Sequence, residues 1–285
     1  MSEKDNSLEL IPERKKLFGT SIETLLSEFL NFENKTLIIF DLETLGLNPS
    51  FEYEQILEIA AVAINGINQN VLGSFQCKIK LSDSTNEFLN DPDCIQRFSW
   101  ERRQKRRGKT AILDPHEILK MTSYYENKTD VVKERNGLEL FLNFVSQFEN
   151  SVLVAHNSEF DLKYINTRCK MYGINVPMFK VIDTLKISKF FFVPLLNTLN
   201  TMESNILKST LKSKTSGHVS SRLGDLANSF EINAENWHSA SSDILILQKV
   251  LYKMINFLET HKETNINEEQ KKSINKTLKR TKRTH

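Results

Sequence analysis

Three short segments of this 285-residue chain carry acidic and imidazole side chains at spacings that could do chemistry. The first is Phe40-Asp41-Leu42-Glu43-Thr44, at the end of the apolar run Thr36–Asp41. Successive side chains of a strand point to opposite faces, so Asp41 and Glu43 share one. Two carboxylates that close repel unless a cation lies between them, and hard oxygen donors suit Mg²⁺ or Mn²⁺. Taken alone, the pair reads equally well as a strand end entering solvent with two ordinary surface acids. The second segment is Leu153-Val154-Ala155-His156-Asn157-Ser158-Glu159-Phe160-Asp161, a buried strand, a polar turn and a helix start. Here Asp161 also reads as an N-terminal helix charge favoured by the macrodipole, Asn157 as a turn or cap residue and His156 as a satisfied core histidine. The third is Trp237-His238-Ser239-Ala240-Ser241-Ser242-Asp243. Residues five apart on one ideal helix diverge by about 140°. His238 and Asp243 therefore cooperate only if the histidine lies in the loop ahead of the helix, with Ser239 or Ser241 as its cap. A flexible histidine then reaches over a cation held by Asp243; otherwise the two are a surface histidine and a helix-start acid.

The elements that must position these residues follow from periodicity. Thr36–Asp41, Gln55–Asn65 and Val71–Lys80 read as strands of an antiparallel meander. Ser151–Ala155 and Val181–Asp183 are short strands alternating with helices over Gly137–Glu149, Glu159–Tyr172, Arg222–Phe230 and Ala240–Leu258, the last with Ile244, Leu247, Leu251 and Ile255 in register. Strands first, then alternating helices and strands, imply an α/β fold with a mixed sheet packed by helices. The expected organisation is an N-terminal extension over 1–34 containing one helix, a main domain over 35–260, and a Lys-, Asn- and Thr-rich tail over 261–285 without a core-forming face, read as disordered. Within the main domain, 82–129 reads as a basic insertion and 203–221, rich in Ser and Lys, as a surface loop.

In order and spacing the three segments together resemble the DEDDh 3′–5′ exonucleases, such as the proofreading exonuclease of bacterial replicative polymerases, ribonuclease T and oligoribonuclease. That family shows Asp-x-Glu-Thr at its first strand end, matched at Asp41 and Glu43. Its Val-Ala-His-Asn-x-x-Phe-Asp segment is matched across Val154–Asp161, and its His-x-x-x-x-Asp at His238 and Asp243. Ile182-Asp183-Thr184-Leu185 and Leu223-x-x-Leu226-Ala227 are smaller echoes, and the likeness spans about Lys35–Leu258. The resemblance implies a ribonuclease-H-like fold and two divalent cations, Mg²⁺ or Mn²⁺, held by Asp41, Glu43, Asp161 and Asp243. It makes His238 the general base; histidine rather than tyrosine there places the chain in the His subgroup. Two cations about 4 Å apart suit phosphodiester hydrolysis, one lowering the pKa of the attacking water and the other facing the departing oxygen. The resemblance further implies that Thr44, Leu45, Asn157 and Phe160 bind the 3′-terminal nucleotide. The family's Gly-Ile-Thr-like element has only a poor counterpart at Leu119–Tyr124.

Composition bounds the reading. Hydrophobic residues make up 39% of the chain and charged residues 26%, as in soluble globular proteins. The formal net charge is only +2, but seven basic residues lie between Arg97 and Lys109 and seven more between Lys271 and His285. The first cluster has Phe98 and Trp100 available to stack on bases, so it fits a nucleic-acid contact as well as a solvated loop. The three cysteines lack disulfide or zinc spacing, pointing to a reducing, cytoplasmic setting. The N-terminus has no apolar core like that of a signal peptide, and no apolar run approaches the roughly 20 residues that span a bilayer. The expected partner is a nucleic acid with a free 3′ end, DNA before RNA because the basic segments suit a long strand. A DNA polymerase or another replication or repair protein would complete a proofreading role. The alternatives are an RNA 3′-end-trimming exoribonuclease, or a non-catalytic nucleic-acid-binding subunit that keeps the fold as scaffold.

Overall fold

A computed structural model describes residues 32, 34–91, 93, 131–212, 219–233 and 239–261. The expected helix over 20–34, apart from Phe32 and Asn34, the basic cluster at 97–109 and the tail beyond His261 lie outside them.

The chain begins with three long strands, β1 (Thr36–Thr44), β2 (Ile56–Asn65) and β3 (Val71–Ile79). A helix α1 (Asp83–Asn90), capped by the Ser82 side chain, follows. The short strand β4 (Val131–Val132) leads into α2 (Glu134–Ser146), β5 (Ser151–Ala155), α3 (Ser158–Met171) and β6 (Val181–Asp183). Then come α4 (Thr184–Ile187), a π-helical turn over Ser188–Phe192, α5 (Val193–Thr198), α6 (Met202–Leu211), α7 (Leu223–Ser229) and the long α8 (Ala240–Thr260). The six strands form one sheet in the order β4-β3-β2-β1-β5-β6. β2 is antiparallel to both neighbours, and β4, β5 and β6 each run parallel to theirs. The meander and the mixed sheet match the expectation from periodicity.

The alternation of side chains along β1 divides the core. Leu37 and Ile39 join Ala60, Val62, Val154 and the buried stripe of α8 (Ile244, Leu247, Val250, Leu251, Met254) on one face. Ile38, Phe40 and Leu42 join Ile59, Ala61 and the buried residues of α2 and α3 (Phe141, Phe144, Tyr164, Ile165) on the other. Each fully buried aliphatic side chain contributes about 1.5–3 kcal/mol, against about 1 kcal/mol for a helix cap, so packing of the stripe sets the seat of α8. Among the described residues no helix is long and apolar enough to cross a membrane.

One expectation is corrected. The stretch 203–221 is not a loop throughout, because Met202–Leu211 is helical. Its Ser and Lys residues give it a loop-like composition, but Leu207 and Leu211 are buried in the core and the Thr201 side chain caps the first turn through Ser204 N–H. The segment read as a basic insertion begins with α1, whose Leu89 joins Leu45, Leu57 and Leu81 in a small buried cluster.

Candidate active site

β1 pairs with β5 only from Thr36 to Ile39, then runs on to Thr44 beside β2 alone. Asp41 and Glu43 therefore sit within the strand, beyond the last β5 pairing and on the face covered by α8. The strand does not end at Asp41, so the two acids are not a strand end emerging into solvent. Past the end of β5 the chain turns at His156-Asn157, where Asn157 adopts a left-handed conformation (φ 74°) tolerated by Asn. It re-enters as α3, whose first turn carries Asp161 back toward β1.

Buried Asp183 fixes this turn. Its Oδ1 accepts from the backbone N–H groups of Asn157 (3.1 Å), Leu185 (3.0 Å) and Lys186 (3.3 Å), and its Oδ2 from Ser158 Oγ (3.1 Å). One carboxylate thus ties the start of α3 to the start of α4, using donors that helix N-termini leave unpaired. Asp161, itself buried, accepts from the N–H of Leu42. From the other face of the sheet, Ser239 caps α8 by accepting from Ser242 N–H, and Asp243 lies in the first turn. Ser239, one of the two residues proposed from sequence, is the cap.

These placements gather the acids at one end of β1. Carboxylate oxygens of Asp41, Glu43 and Asp243 lie within 4.8 Å of one another. Asp161 is the neighbouring charge that acts most strongly on Asp41. Burial, then Asp161, Glu43, Asp243 and Glu58, hold the Asp41 carboxyl well above the usual carboxylate range. Burial, then Asp243 and Glu58, push Glu43 up to about 7. Asp161 is also raised well above its usual range by burial, against hydrogen bonds from its own N–H and that of Leu42, with Asp183 and Glu43 adding to the rise. Crowded carboxyls, one buried and three half-buried, that cannot all ionise together offer only oxygen donors, a set suited to hard divalent cations such as Mg²⁺ or Mn²⁺.

Other residues singled out from sequence are placed as follows. His156 Nδ1 lies 3.0 Å from Thr184 Oγ1. Burial depresses its pKa to about 4 against the opposing pull of Asp183 and the Ser221 carbonyl, so it is a neutral, satisfied histidine at physiological pH. Thr44 Oγ1 donates to Gly46 O, Leu45 is buried in the cluster with Leu57, Asn157 is exposed, and Phe160 packs against Tyr164 with ring centroids 5.1 Å apart. His238 lies outside the described residues. Sequence reasoning passed over Glu58, which lies directly across from Glu43 and is 2% exposed, its Oε1 accepting from Gln76 Nε2 at 2.7 Å. A single acid inside the otherwise apolar strand ILEIAAVAIN was the available signal.

Comparison with known proteins agrees with this geometry. Residues 20–219 match the model of the family B DNA polymerase exonuclease domain, a stretch that contains Asp41, Glu43 and Asp161 and ends ahead of α8. The chain is 30% identical over 172 residues, 58% of its length, to the PolC-type DNA polymerase III of Halalkalibacterium halodurans. It is 26% identical over 231 residues, 80% of its length, to the PolC-type enzyme of Ureaplasma parvum serovar 3. It spans only 9% and 12% of those polymerases. Among solved structures, that of E. coli exonuclease I in complex with a dT13 oligonucleotide superposes with a TM-score of 0.53 at 16% identity, over 80% of this chain and 44% of that one. The sheet order and its flanking helices are thus those of a ribonuclease-H-like fold, and with a family model covering most of its length the chain belongs to the DEDD 3′–5′ exonucleases, as a 3′–5′ exonuclease domain.

Proposed function

We propose that this domain removes nucleotides one at a time from the 3′ end of single-stranded DNA, releasing nucleoside 5′-monophosphates. Its reaction centre in this reading is Asp41, Glu43, Asp161 and Asp243, holding two divalent cations. The observation that carries the reading is the convergence of four acidic side chains, from one strand and the first turns of two helices, at the open end of β1. When bound, divalent cations supply charge neutralisation at the phosphate and acidify the attacking water.

The protein's own part is positional. Asp41 and Glu43 are held by the strand, while Asp161 is held by the Leu42 N–H and by the turn that Asp183 ties down. The Ser239 cap sets Asp243 in place. The acids' raised pKa values mean that the centre exchanges protons for cations as it loads. His238, adjacent in sequence to that cap, is the general base in this reading, and Thr44, Leu45, Asn157 and Phe160 bound the 3′-terminal nucleotide. DNA is favoured because the relatives are DNA polymerases and the exonuclease I structure holds a thymidine oligonucleotide. The same relatives make a polymerase or another replication protein the expected partner.

The test is digestion of 3′-end-labelled single-stranded DNA, duplex DNA and RNA of matched sequence with Mg²⁺, with products resolved by length. Wild-type protein should shorten single-stranded DNA stepwise. Asp41→Ala should lose several kcal/mol of transition-state stabilisation, on the order of a thousandfold in rate. His238→Ala should lose roughly 10²–10⁴-fold. Equal activity in all three proteins would sink the assignment, and faster digestion of RNA would move the substrate to the ribonuclease alternative.

A further inference from the structure

Beyond Glu43 the chain continues into the connection between β1 and β2, at the same end of the sheet as the carboxylates. This connection is tied down from several sides. Leu45 N–H donates to Gln55 O at 2.9 Å, extending the hairpin. Glu54 Oε2 accepts from the N–H groups of Leu47 and Asn48, each at 2.5 Å. Gly46, at φ +94°, passes so close that a Cβ there would fall 2.0 Å from Glu54 Oε2, so the turn needs glycine for both conformation and space. Arg168, buried and paired with Glu134, donates to Phe51 O at 3.2 Å and Pro49 O at 3.5 Å. Thr85 of α1 donates to Tyr53 O at 3.3 Å. Surface connections are ordinarily the mobile part of a fold; here backbone groups of Leu47, Asn48, Pro49, Phe51 and Tyr53 all have partners.

What this fixed backbone displays is a column of flat rings. Phe51 stacks on Tyr53 with centroids 5.3 Å apart and planes 6° from parallel, and Tyr53 stacks on Phe88 of α1 at 4.1 Å and 5°. Aromatic pairs inside proteins commonly meet offset or edge-on, and most other ring pairs here are tilted or edge-on. Phe51 ends the column and is 41% exposed. Leu45 lies two residues beyond Glu43, about 7 Å along a strand, with Gln55 across from it and Tyr53 about as far again. The column thus lies at the carboxylate end of the sheet, within the reach of a few nucleotides from a 3′ end held at the carboxylates.

We infer that the Phe51–Tyr53–Phe88 column is a stacking platform for a base of single-stranded nucleic acid, upstream of the nucleotide being removed. The occupant is a nucleobase π-face, a sequence-tolerant ligand. The inference rests on the exonuclease reading for the strand's direction. Sequence reasoning placed base stacking at Phe98 and Trp100, outside the described residues. The Phe51 subsite is distinct from these and from the terminal-nucleotide residues.

The test compares wild type with Phe51→Ala, Phe51→Leu and Phe51→Trp. Binding of a 5′-fluorescein-labelled twelve-residue oligothymidylate is followed by anisotropy in EDTA. Hydrolysis of the same oligomer and of a dithymidine substrate is measured with Mg²⁺. Alanine and leucine should each weaken oligomer binding about 5- to 150-fold, tryptophan should restore it, and dithymidine hydrolysis should be unchanged. Wild-type binding by Phe51→Ala would overturn the inference. So would leucine performing as well as tryptophan, since apolar contact alone would then suffice, or a parallel loss of dithymidine hydrolysis. A wild-type chain that binds through Phe51 but hydrolyses neither substrate would leave the platform standing and remove the exonuclease reading; hydrolysis of both substrates, with oligomer binding and oligomer hydrolysis both indifferent to Phe51, would do the reverse.

Discussion

Two clusters of charge in this domain, one buried and one half-buried, are built on opposite principles. In one, Glu134 receives Arg168 Nη2 at 2.5 Å and Arg168 Nε at 3.0 Å on both oxygens, Tyr172 Oη at 2.8 Å and Ile56 N–H at 2.8 Å. Acid and base sit together, with hydrogen bonds to neutral donors around them. In the other, Asp41, Glu43, Asp161 and Asp243 crowd together with Glu58 beside them, and each of the first three is pushed above its ordinary pKa by burial and by its neighbours. The first cluster answers its own desolvation and joins α2, α3 and the connection that carries Phe51. The second packs acid against acid, an arrangement suited to a cation, and perturbed pKa values of that kind cluster at functional sites.

The largest stability effect expected from this contrast is Arg168→Ala. Removing one partner of a buried pair strands the other, at a cost of about 3–5 kcal/mol. In a thermal melt that is a fall of roughly 10 °C. In the acidic cluster the sign reverses: Asp41→Asn should raise the melting temperature of EDTA-treated protein, because one of the mutually repelling groups is gone. A fall comparable to that of Arg168→Ala would mean that Asp41 has a compensating partner and that the two clusters do not differ.

Each bound cation should stabilise the wild type by about 2.7 kcal/mol when Mg²⁺ is a hundredfold above its dissociation constant. The same addition should stabilise Asp41→Asn less, by at least one ion's contribution. Equal shifts in both proteins would place the bound ion elsewhere.

The pH response follows from Glu43. Its folded pKa of about 7 is raised above its ordinary value of 4.5, so the folded state favours the protonated form. The associated stability is fully present below the unfolded pKa and is lost as pH rises through about 7. Metal-free protein should therefore melt at progressively lower temperature between about pH 4.5 and 7, and saturating Mg²⁺ should flatten the slope. A metal-free melting temperature that rises over that window would contradict the assignment. Smallest of all is Glu159→Gln, which removes the exposed ion pair with Lys186 and should change stability by less than about 1 kcal/mol in a denaturant titration.

Much of this architecture is legible in the chain. Strand alternation puts Asp41 and Glu43 on one face, and the helical register of Ile244, Leu247, Leu251 and Ile255 identifies the buried side of α8, hence the end at which Asp243 emerges. Contacts that depend on register between distant segments are not legible. Nothing local announces that Glu58 falls opposite Glu43, or that Glu134 meets Arg168 across two helices. Asp183 stands in the sequence only as a motif echo, and its task of holding the Asn157–Ser158 turn needs β6 laid beside β5. Composition misled at 203–221, where a Ser- and Lys-rich exposed face hides the buried Leu207 and Leu211 of α6. The column of Phe51, Tyr53 and Phe88 joins residues from two elements and has no periodicity to betray it.

The most direct test of the central claim is calorimetric titration of the metal-free domain with Mn²⁺. If Asp41, Glu43, Asp161 and Asp243 form the cation-holding centre, the wild type should bind two ions per chain with release of protons. Asp41→Asn and Asp161→Asn should each lose at least one of the two, while Arg135→Gln, on the exposed face of α2, should bind as the wild type does. Absence of binding in the wild type, or stoichiometry and heat unchanged in Asp41→Asn and Asp161→Asn, would contradict the account.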